Sequence, residues 1–261
     1  MILTAENYYS SEADREYLSV SQYKSFCGSL AHDGCEAKAM SQLTENWIEE
    51  KRTSLLVGNY VDAYFEGTLD TFKSQNQEIF TTKGSLKSDY KQAEKIIQRA
   101  EADEYFMKFL SGQKQVIMTG EIAEAQWKIK MDSYLPGILI ADLKVMKSLS
   151  EHTYVNGFGQ VEFVRAWGYD IQGAIYQEIV RQNTGEKLPF YIAALSKEKE
   201  PDIKIIYLDD DLLDERLREV KENVHHILDV KEGRIKPTRC EKCDYCKRTR
   251  KLTAPIHYLE L

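Results

Sequence analysis

Two segments separated by a short turn form the clearest pattern of polar and apolar positions in this chain. Residues 128–132 alternate, residues 138–144 begin as an apolar run, and Pro136-Gly137 lies between them. This arrangement predicts two neighbouring β-strands. Successive side chains of a strand point to opposite faces, so Asp142 and Lys144 are expected on the same face, about 7 Å apart along the strand.

The rest of the chain switches between helical and strand periodicity. Apolar residues at three- and four-residue spacing predict helices over 47–66, 88–110, 169–182 and 210–232. Short apolar and β-branched runs predict three strands within 116–143 and further strands over 163–167, 189–195 and 203–208. Residues 1–18 are polar and are expected to form an arm. This order of elements indicates an α/β fold with a mixed sheet and helices on both faces.

Composition and charge narrow the class of protein. The chain has 261 residues, of which 43% are hydrophobic, and this is enough for one domain with a substantial core. No apolar run approaches the roughly 20 residues that span a bilayer, and the N-terminus lacks the pattern of a secretory signal. A cytoplasmic location with no membrane partner is therefore expected. The net charge of −7 argues against a surface that binds nucleic acid throughout, but a local basic groove is compatible with it.

Two carboxylates and a lysine meet where the predicted strands end. Asp132 ends the first strand, and Asp142 and Lys144 lie on the next. Mg²⁺ or Mn²⁺ held by carboxylates can activate water and neutralise charge at a phosphodiester. Lys144 would orient or deprotonate that water, and the carbonyl of Leu143 is an expected further metal ligand. The alternative is a surface hairpin with ordinary charges. The apolar run before Asp142 argues against it, because a buried carboxylate needs a partner.

Two other predicted elements carry polar residues that could join this site. Gln172 and Tyr176 lie one helical turn apart, on one face, and could hold a backbone group, a phosphate or a base. An ordinary amphipathic helix would show the same spacing. Glu121 and Glu124 precede Asp132 on a strand. Either could add a ligand for metal or water, and Glu121 is preferred, although exposed glutamates are common on strands.

The spacing of these residues resembles that of the PD-(D/E)XK nuclease superfamily, and most closely its RecE-like and RecB-like exonuclease branch. The residues that carry the resemblance are Asp132, Asp142, Lys144, Gln172 and Tyr176. The branch also has a Gly-x-x-x-His pattern on an upstream helix. Here the corresponding residues run from Gly58 to Asp62, so Asp62 stands where the family has histidine. An aspartate can still bind a metal ion at this position.

The resemblance implies a fold and a function. The expected fold is a restriction-endonuclease-like mixed central sheet flanked by helices, with an N-terminal helical region and a cysteine-containing C-terminal tail. The expected function is a Mg²⁺-dependent exonuclease that degrades double-stranded DNA from its ends in phage-type homologous recombination in a bacterial host cell. Expected partners are a RecT-like single-strand annealing protein and further copies of the chain in a ring. A non-catalytic protein that binds DNA ends or a recombinase, and a structure-specific endonuclease, are the alternatives.

Cysteines cluster near the C-terminus at two-residue intervals. The three residues are Cys240, Cys243 and Cys246. Five cysteines without a secretory signal argue against a disulfide framework, and this spacing suits a soft metal ion or a cluster. Cys35 is the preferred fourth ligand, with Cys27 in reserve. The layout resembles that of RecB-like nucleases that hold a [4Fe–4S] cluster. Zn²⁺ is the main alternative, with His257 as an optional ligand, and unliganded thiols are the third.

Basic residues supply candidate contacts to DNA. Arg248 and Arg250 belong to the densest basic run and could follow a phosphate backbone, although a solvated tail would have the same composition. Arg165 precedes the helix of Gln172 and could hold a terminal phosphate. We expect one nuclease domain over 1–261. Its parts are an arm over 1–18, a helical region over 19–110, a nuclease core over 111–232 and a Cys-rich basic tail over 233–261.

Overall fold

The chain is described from a computed structural model, which covers residues 1–47, 53–255 and 257–260. Its helices are α1 Ser11–Glu16, α2 Val20–Cys27, α3 Glu36–Leu43, α4 Thr53–Glu66, α5 Leu69–Gln75, α6 Ser88–Glu101, α7 Glu104–Phe109, α8 Phe163–Ala166, α9 Tyr169–Thr184, α10 Asp210–Lys231 and α11 Asp244–Arg248. Its strands are β1 Gly28–Ser29, β2 His32–Asp33, β3 Val116–Ile122, β4 Ala125–Met131, β5 Ser133–Leu135, β6 Leu139–Met146, β7 His152–Val155, β8 Gly159–Glu162, β9 Phe190–Ser196 and β10 Ile203–Leu208. Short 3₁₀ turns lie at Gln77–Ile79 and Tyr258–Glu260.

The central sheet is mixed, as the sequence predicts, and has the strand order β10-β9-β6-β5. Strands β6 and β9 run parallel, while β10 and β5 run antiparallel to their neighbours. A separate antiparallel hairpin, β3–β4, leads straight into β5 through Asp132. The chain then turns at Pro136-Gly137 into β6. Both predicted strands are therefore present. The first is divided at Asp132 into β4 and β5, and β5 is the part that pairs with β6.

Helices cover both faces of the sheet. In β9, Ile192 and Ala194 pack into the core that contains α9 and α10, while Ala193 and Leu195 pack into the core formed by α4 and α6. A strand buried on both faces needs a continuous apolar run, and β9 has one from Phe190 to Leu195 before the buried Ser196. The same alternation in β6 places Leu143 on the side of α4. The predicted two-sided α/β arrangement is confirmed.

The N-terminal segment differs from the arm that its polar composition predicts. It contains helix α1, and Tyr8 and Leu18 are buried. The backbone of Leu18 exchanges hydrogen bonds with β4, accepting from Lys128 N at 2.8 Å. The fully buried ammonium of Lys128 is paired with Asp14 at 2.7 Å. The segment is thus part of the packed molecule, held by pairs between residues distant in sequence.

Three further elements differ from expectation. The helix predicted over 88–110 forms two helices, α6 and α7, with residues 102–103 between them. The apolar run predicted as a strand over 163–167 forms helix α8, and Gly168, with φ of 66°, separates it from α9. The helix predicted over 47–66 is present from Thr53, and its residues 48–52 lie outside the described residues. In the part of the chain that the structure describes, no helix has the length and apolar character needed to cross a bilayer.

Candidate active site

A cleft of about 450 Å³ is lined by residues at the end of β4 and by residues of β6. It gathers the predicted residues Asp132, Asp142, Leu143, Lys144, Gln172, Tyr176 and Asp62. The residues come from the junction of β4 and β5, from β6, and from helices α4 and α9. The site therefore depends on the mixed sheet, which brings its two strand ends and two helices to one place.

Asp142 and Lys144 face the same side of β6 and form an ion pair. The other oxygen of Asp142, Oδ1, accepts a hydrogen bond of 2.6 Å from Gln172 Nε2 on α9. Burial lowers the pKa of Lys144, but Asp142 and Asp132 outweigh this effect and hold that pKa above its ordinary value. Lys144 is accordingly a charged hydrogen-bond donor in this arrangement.

Asp132 lies at the junction of β4 and β5, and a backbone hydrogen bond holds its carboxylate in place. Its Oδ2 accepts a 2.9 Å hydrogen bond from the backbone N–H of Leu143. The carbonyl of the same Leu143 accepts from Lys144 Nζ at 3.3 Å. Burial, and then the charge of Asp142, raise the pKa of Asp132 well above its ordinary value. The carboxylate thus lies where its charge is unfavourable unless a cation compensates it.

Asp62 projects from α4 into the same cleft. The residue is half-buried, and its buried Oδ1 has no hydrogen-bond partner among the described residues. Burial raises the pKa of Asp62 to about 7, Lys144 opposes the shift, and Asp142 adds to it. Three carboxylates, one with an unpartnered buried oxygen, are the hard oxygen donors that Mg²⁺ or Mn²⁺ requires. The residues present therefore fit a divalent metal ion.

Gln172 and Tyr176 both touch the protein's own groups. Gln172 orients Asp142, whereas the hydroxyl of Tyr176 donates to the carbonyl of Lys130 at 3.0 Å and so anchors the end of β4. Both side chains are more than 90% buried. This geometry favours a role in positioning the site and leaves Tyr176 little surface for stacking on a base.

The sequence alone did not indicate several residues of the cleft. Glu66 lies one helical turn after Asp62, a spacing that could have indicated it, and it also lines the cleft. Tyr8 and Tyr9 form another wall, with the ammonium of Lys130 4.5 Å from the ring centroid of Tyr9. No local pattern marks these tyrosines, because they reach the cleft only through the packing of residues 1–18.

Four predicted residues lie outside this cleft. Glu121 is exposed near the far end of the β3–β4 hairpin, opposite Gln126, and its backbone bonds with Gln182. Arg165 lines another pocket and pairs with Glu162 at 2.7 Å. Arg248 and Arg250 lie at the C-terminal tail: the first stacks on the Trp47 ring and the second bonds with Glu241. The expected metal and DNA contacts of these residues are therefore not part of the cleft.

The predicted cysteine set comes together elsewhere in the fold. The Sγ atoms of Cys35, Cys240, Cys243 and Cys246 all lie within 4.8 Å of one another, an arrangement that could hold a metal ion. Cys27, the reserve ligand, is exposed and outside this group. His257 is likewise not a member of it.

Comparison with known proteins identifies the family of this chain. Residues 19–249 match the model of a PDDEXK-like domain of unknown function (DUF3799). The structure is similar to the crystal structure of a "putative exonuclease" from Eubacterium rectale. The two share 59% sequence identity, and the similarity covers 100% of this chain and 98% of that one with a TM-score of 0.97. The curated proteins contain no match. The chain therefore belongs to the PDDEXK-like family DUF3799, which confirms the resemblance to PD-(D/E)XK nucleases.

Proposed function

We propose that this PD-(D/E)XK nuclease is a divalent-metal-dependent deoxyribonuclease that degrades linear duplex DNA from its ends. The observation that carries the proposal is the convergence of Asp62, Asp132 and Asp142 with Lys144 in one cleft. The E. rectale protein, named a putative exonuclease, supports the end-directed mode.

Asp62, Asp132 and Asp142 would hold the metal, with the Leu143 carbonyl available beside them. A bound divalent ion supplies charge neutralisation at the phosphate and a more acidic water. Lys144, whose pKa is above its ordinary value, would orient water or donate to a phosphate oxygen rather than remove a proton.

The walls of the cleft suit a nucleic-acid chain. Lys130 lies at the ring faces of Tyr8 and Tyr9, which places a cation beside aromatic surface at the edge of the cleft. Such pairs contact phosphates and bases without reading sequence. The lining of the cleft carries five carboxylates against three lysines, so a bound divalent ion would be needed to make it attractive to phosphates. The wider proposal includes action beside a RecT-like single-strand annealing protein in phage-type recombination, as a ring that encloses duplex DNA in the cytoplasm of a bacterial host.

Degradation of linear and closed-circular duplex DNA tests the proposal. With Mg²⁺ or Mn²⁺ we expect the wild type to degrade only the linear form, and a chelator to stop the reaction. Lys144→Ala should abolish degradation. Lys147→Ala is the matched control, because Lys147 follows the same strand, is 84% exposed and pairs with the exposed Glu151 at 2.8 Å. It should retain full activity.

The same assay separates the alternatives. Cutting of the closed circle would replace the exonuclease with an endonuclease. Binding of linear ends without cleavage, under every metal tried and in a folded protein, would replace the enzyme with an end-binding protein. Equal loss of activity in Lys144→Ala and Lys147→Ala would contradict the assignment of the site.

A further inference from the structure

We infer that Cys35, Cys240, Cys243 and Cys246 bind one Zn²⁺ ion in a structural site. The family resemblance implies an iron–sulfur cluster at these cysteines, but the spacing of the sulfur atoms favours a single small ion. This inference is independent of the proposed nuclease activity.

The distances between sulfur atoms carry the argument. Zn–S bonds of about 2.3 Å in a tetrahedron place each pair of sulfurs about 3.8 Å apart. The Cys35 and Cys246 sulfurs are 3.6 Å apart, those of Cys240 and Cys246 are 3.9 Å apart, and all four lie within 4.8 Å. A [4Fe–4S] cube bonds one thiolate at each of four separate irons, which spreads the sulfurs to about 6 Å. The observed spacing of the sulfur atoms suits one ion and is too small for a cube.

The backbone around the sulfurs also suits thiolates. The N–H of Cys243 points to Cys240 Sγ at 3.4 Å, and the N–H of Cys246 points to Cys243 Sγ at 3.5 Å. Such donors stabilise negative sulfur and orient ligands towards a metal. Arg239 lies beside the group and donates to the carbonyl of Cys246 at 2.7 Å. Its charge is already paired with Glu241 at 2.6 Å, so this hydrogen bond fixes the backbone at Cys246 more than it offsets the charge of four thiolates.

The site would join two parts of the fold that are far apart in sequence. Cys35 is the N-cap residue of α3, and the other three ligands lie in the tail around α11. The tail already contacts α3, because Thr238 N donates to Glu36 Oε2 at 2.7 Å and Ala37 N donates to the Thr238 carbonyl at 2.9 Å. A metal ion bound across this contact would hold the tail to α3 and add its binding free energy to the folded state.

Metal analysis of the full chain tests the inference. The protein is purified without chelator and measured by elemental mass spectrometry and visible absorption under anaerobic conditions. We expect about one zinc per chain and no visible colour. Cys35→Ser should lose the zinc and unfold at a lower temperature. Cys27→Ser is the matched control and should keep both the zinc and the unfolding temperature of the wild type. Asp142→Asn should also keep the zinc, which would separate this site from the carboxylate cleft.

A second measurement covers the case in which Cys35→Ser fails to fold. Exchange of the wild-type metal for Co²⁺ should give the intense thiolate-to-cobalt absorption of a tetrahedral four-sulfur site. Iron with inorganic sulfide in the anaerobic protein would overturn the inference. Four freely reactive thiols with no metal would do the same, as would a disulfide between Cys35 and Cys246.

Discussion

Replacement of Gln172 by alanine tests whether this side chain sets the position of the Asp142 carboxylate. Gln172 Nε2 donates to Asp142 Oδ1 at 2.6 Å, and the two residues are only 8% and 2% exposed. The substitution would leave a buried carboxylate oxygen without its donor. A hydrogen bond to a charged group contributes about 1.5–3 kcal/mol, and loss of a residue that orients a metal ligand weakens metal binding about 10- to 100-fold.

The measurement is the initial rate of degradation of linear DNA as a function of Mg²⁺ concentration. For Gln172→Ala, we expect the Mg²⁺ concentration at half-maximal rate to rise about 10- to 100-fold, with a smaller loss of rate at saturating Mg²⁺. Thermal unfolding without metal should occur about 5 °C lower than in the wild type. The shift in metal dependence is the informative result, because a purely structural role would lower stability alone.

Gln182→Ala is the matched control on the same helix. Its amide bonds with the backbone of Glu121 at 2.8 and 2.9 Å, away from the cleft. It should change stability but leave the Mg²⁺ dependence unaltered. An unchanged Mg²⁺ dependence in Gln172→Ala would refute the idea that this amide positions Asp142.

Three further predictions concern other parts of the molecule. Burial raises the pKa of Asp170 from 3.8 to about 6, so the fold disfavours its carboxylate. The resulting penalty on stability is absent below about pH 4, grows between about pH 4 and 6, and is constant above about pH 6. Asp170→Asn should therefore raise the free energy of unfolding by up to about 3 kcal/mol at pH 8, and by much less at pH 4.5, in denaturant titrations. Tyr9→Ala should weaken DNA binding about 5- to 100-fold in a fluorescence titration if a base stacks on this ring, whereas Tyr154→Ala, equally exposed on β7, should not. Asp14→Ala should destabilise the protein by about 3 kcal/mol, more than Lys128→Met does, because it leaves a fully buried ammonium without its carboxylate partner and bonded to the neutral Tyr8 carbonyl.

The sequence predicted those elements whose apolar pattern continues over many consecutive residues. Helices α9 and α10 and strands β9 and β10 all appear within a few residues of the predicted bounds. The run over 163–167 was too short for periodicity to separate a strand from a helix, and the left-handed Gly168 allowed a helix to end there. The polar segment 1–18 is packed because Asp14 meets Lys128, a pair separated by 114 residues that no local pattern reveals.

The same distinction between local pattern and distant contacts applies to the site residues. The placement of Asp142 and Lys144 on one face follows from strand alternation, and their ion pair agrees with it. Glu121 was assigned to the site because its strand neighbours Asp132. The strand register places Glu121 away from the site. Val116 lies opposite Met131, whereas Glu121 lies opposite Gln126, five residues further along the hairpin. Predicting that separation requires the hairpin pairing, which sequence pattern alone does not supply.

The charge balance of the cleft explains why the residues fit a divalent cation. Asp62, Asp132 and Asp142 lie around the ammonium of Lys144, which balances one of their three charges, while Lys197 also opposes the pKa shift of Asp62. Full ionisation would leave these four groups with two excess negative charges in a partly buried cleft. Without a cation, such a site relieves the repulsion by binding protons, and the raised pKa values of Asp62 and Asp132 express this tendency. A divalent ion compensates both charges at once. Asp62 contributes one of those charges, so an aspartate at this position increases the negative charge that a divalent cation would neutralise.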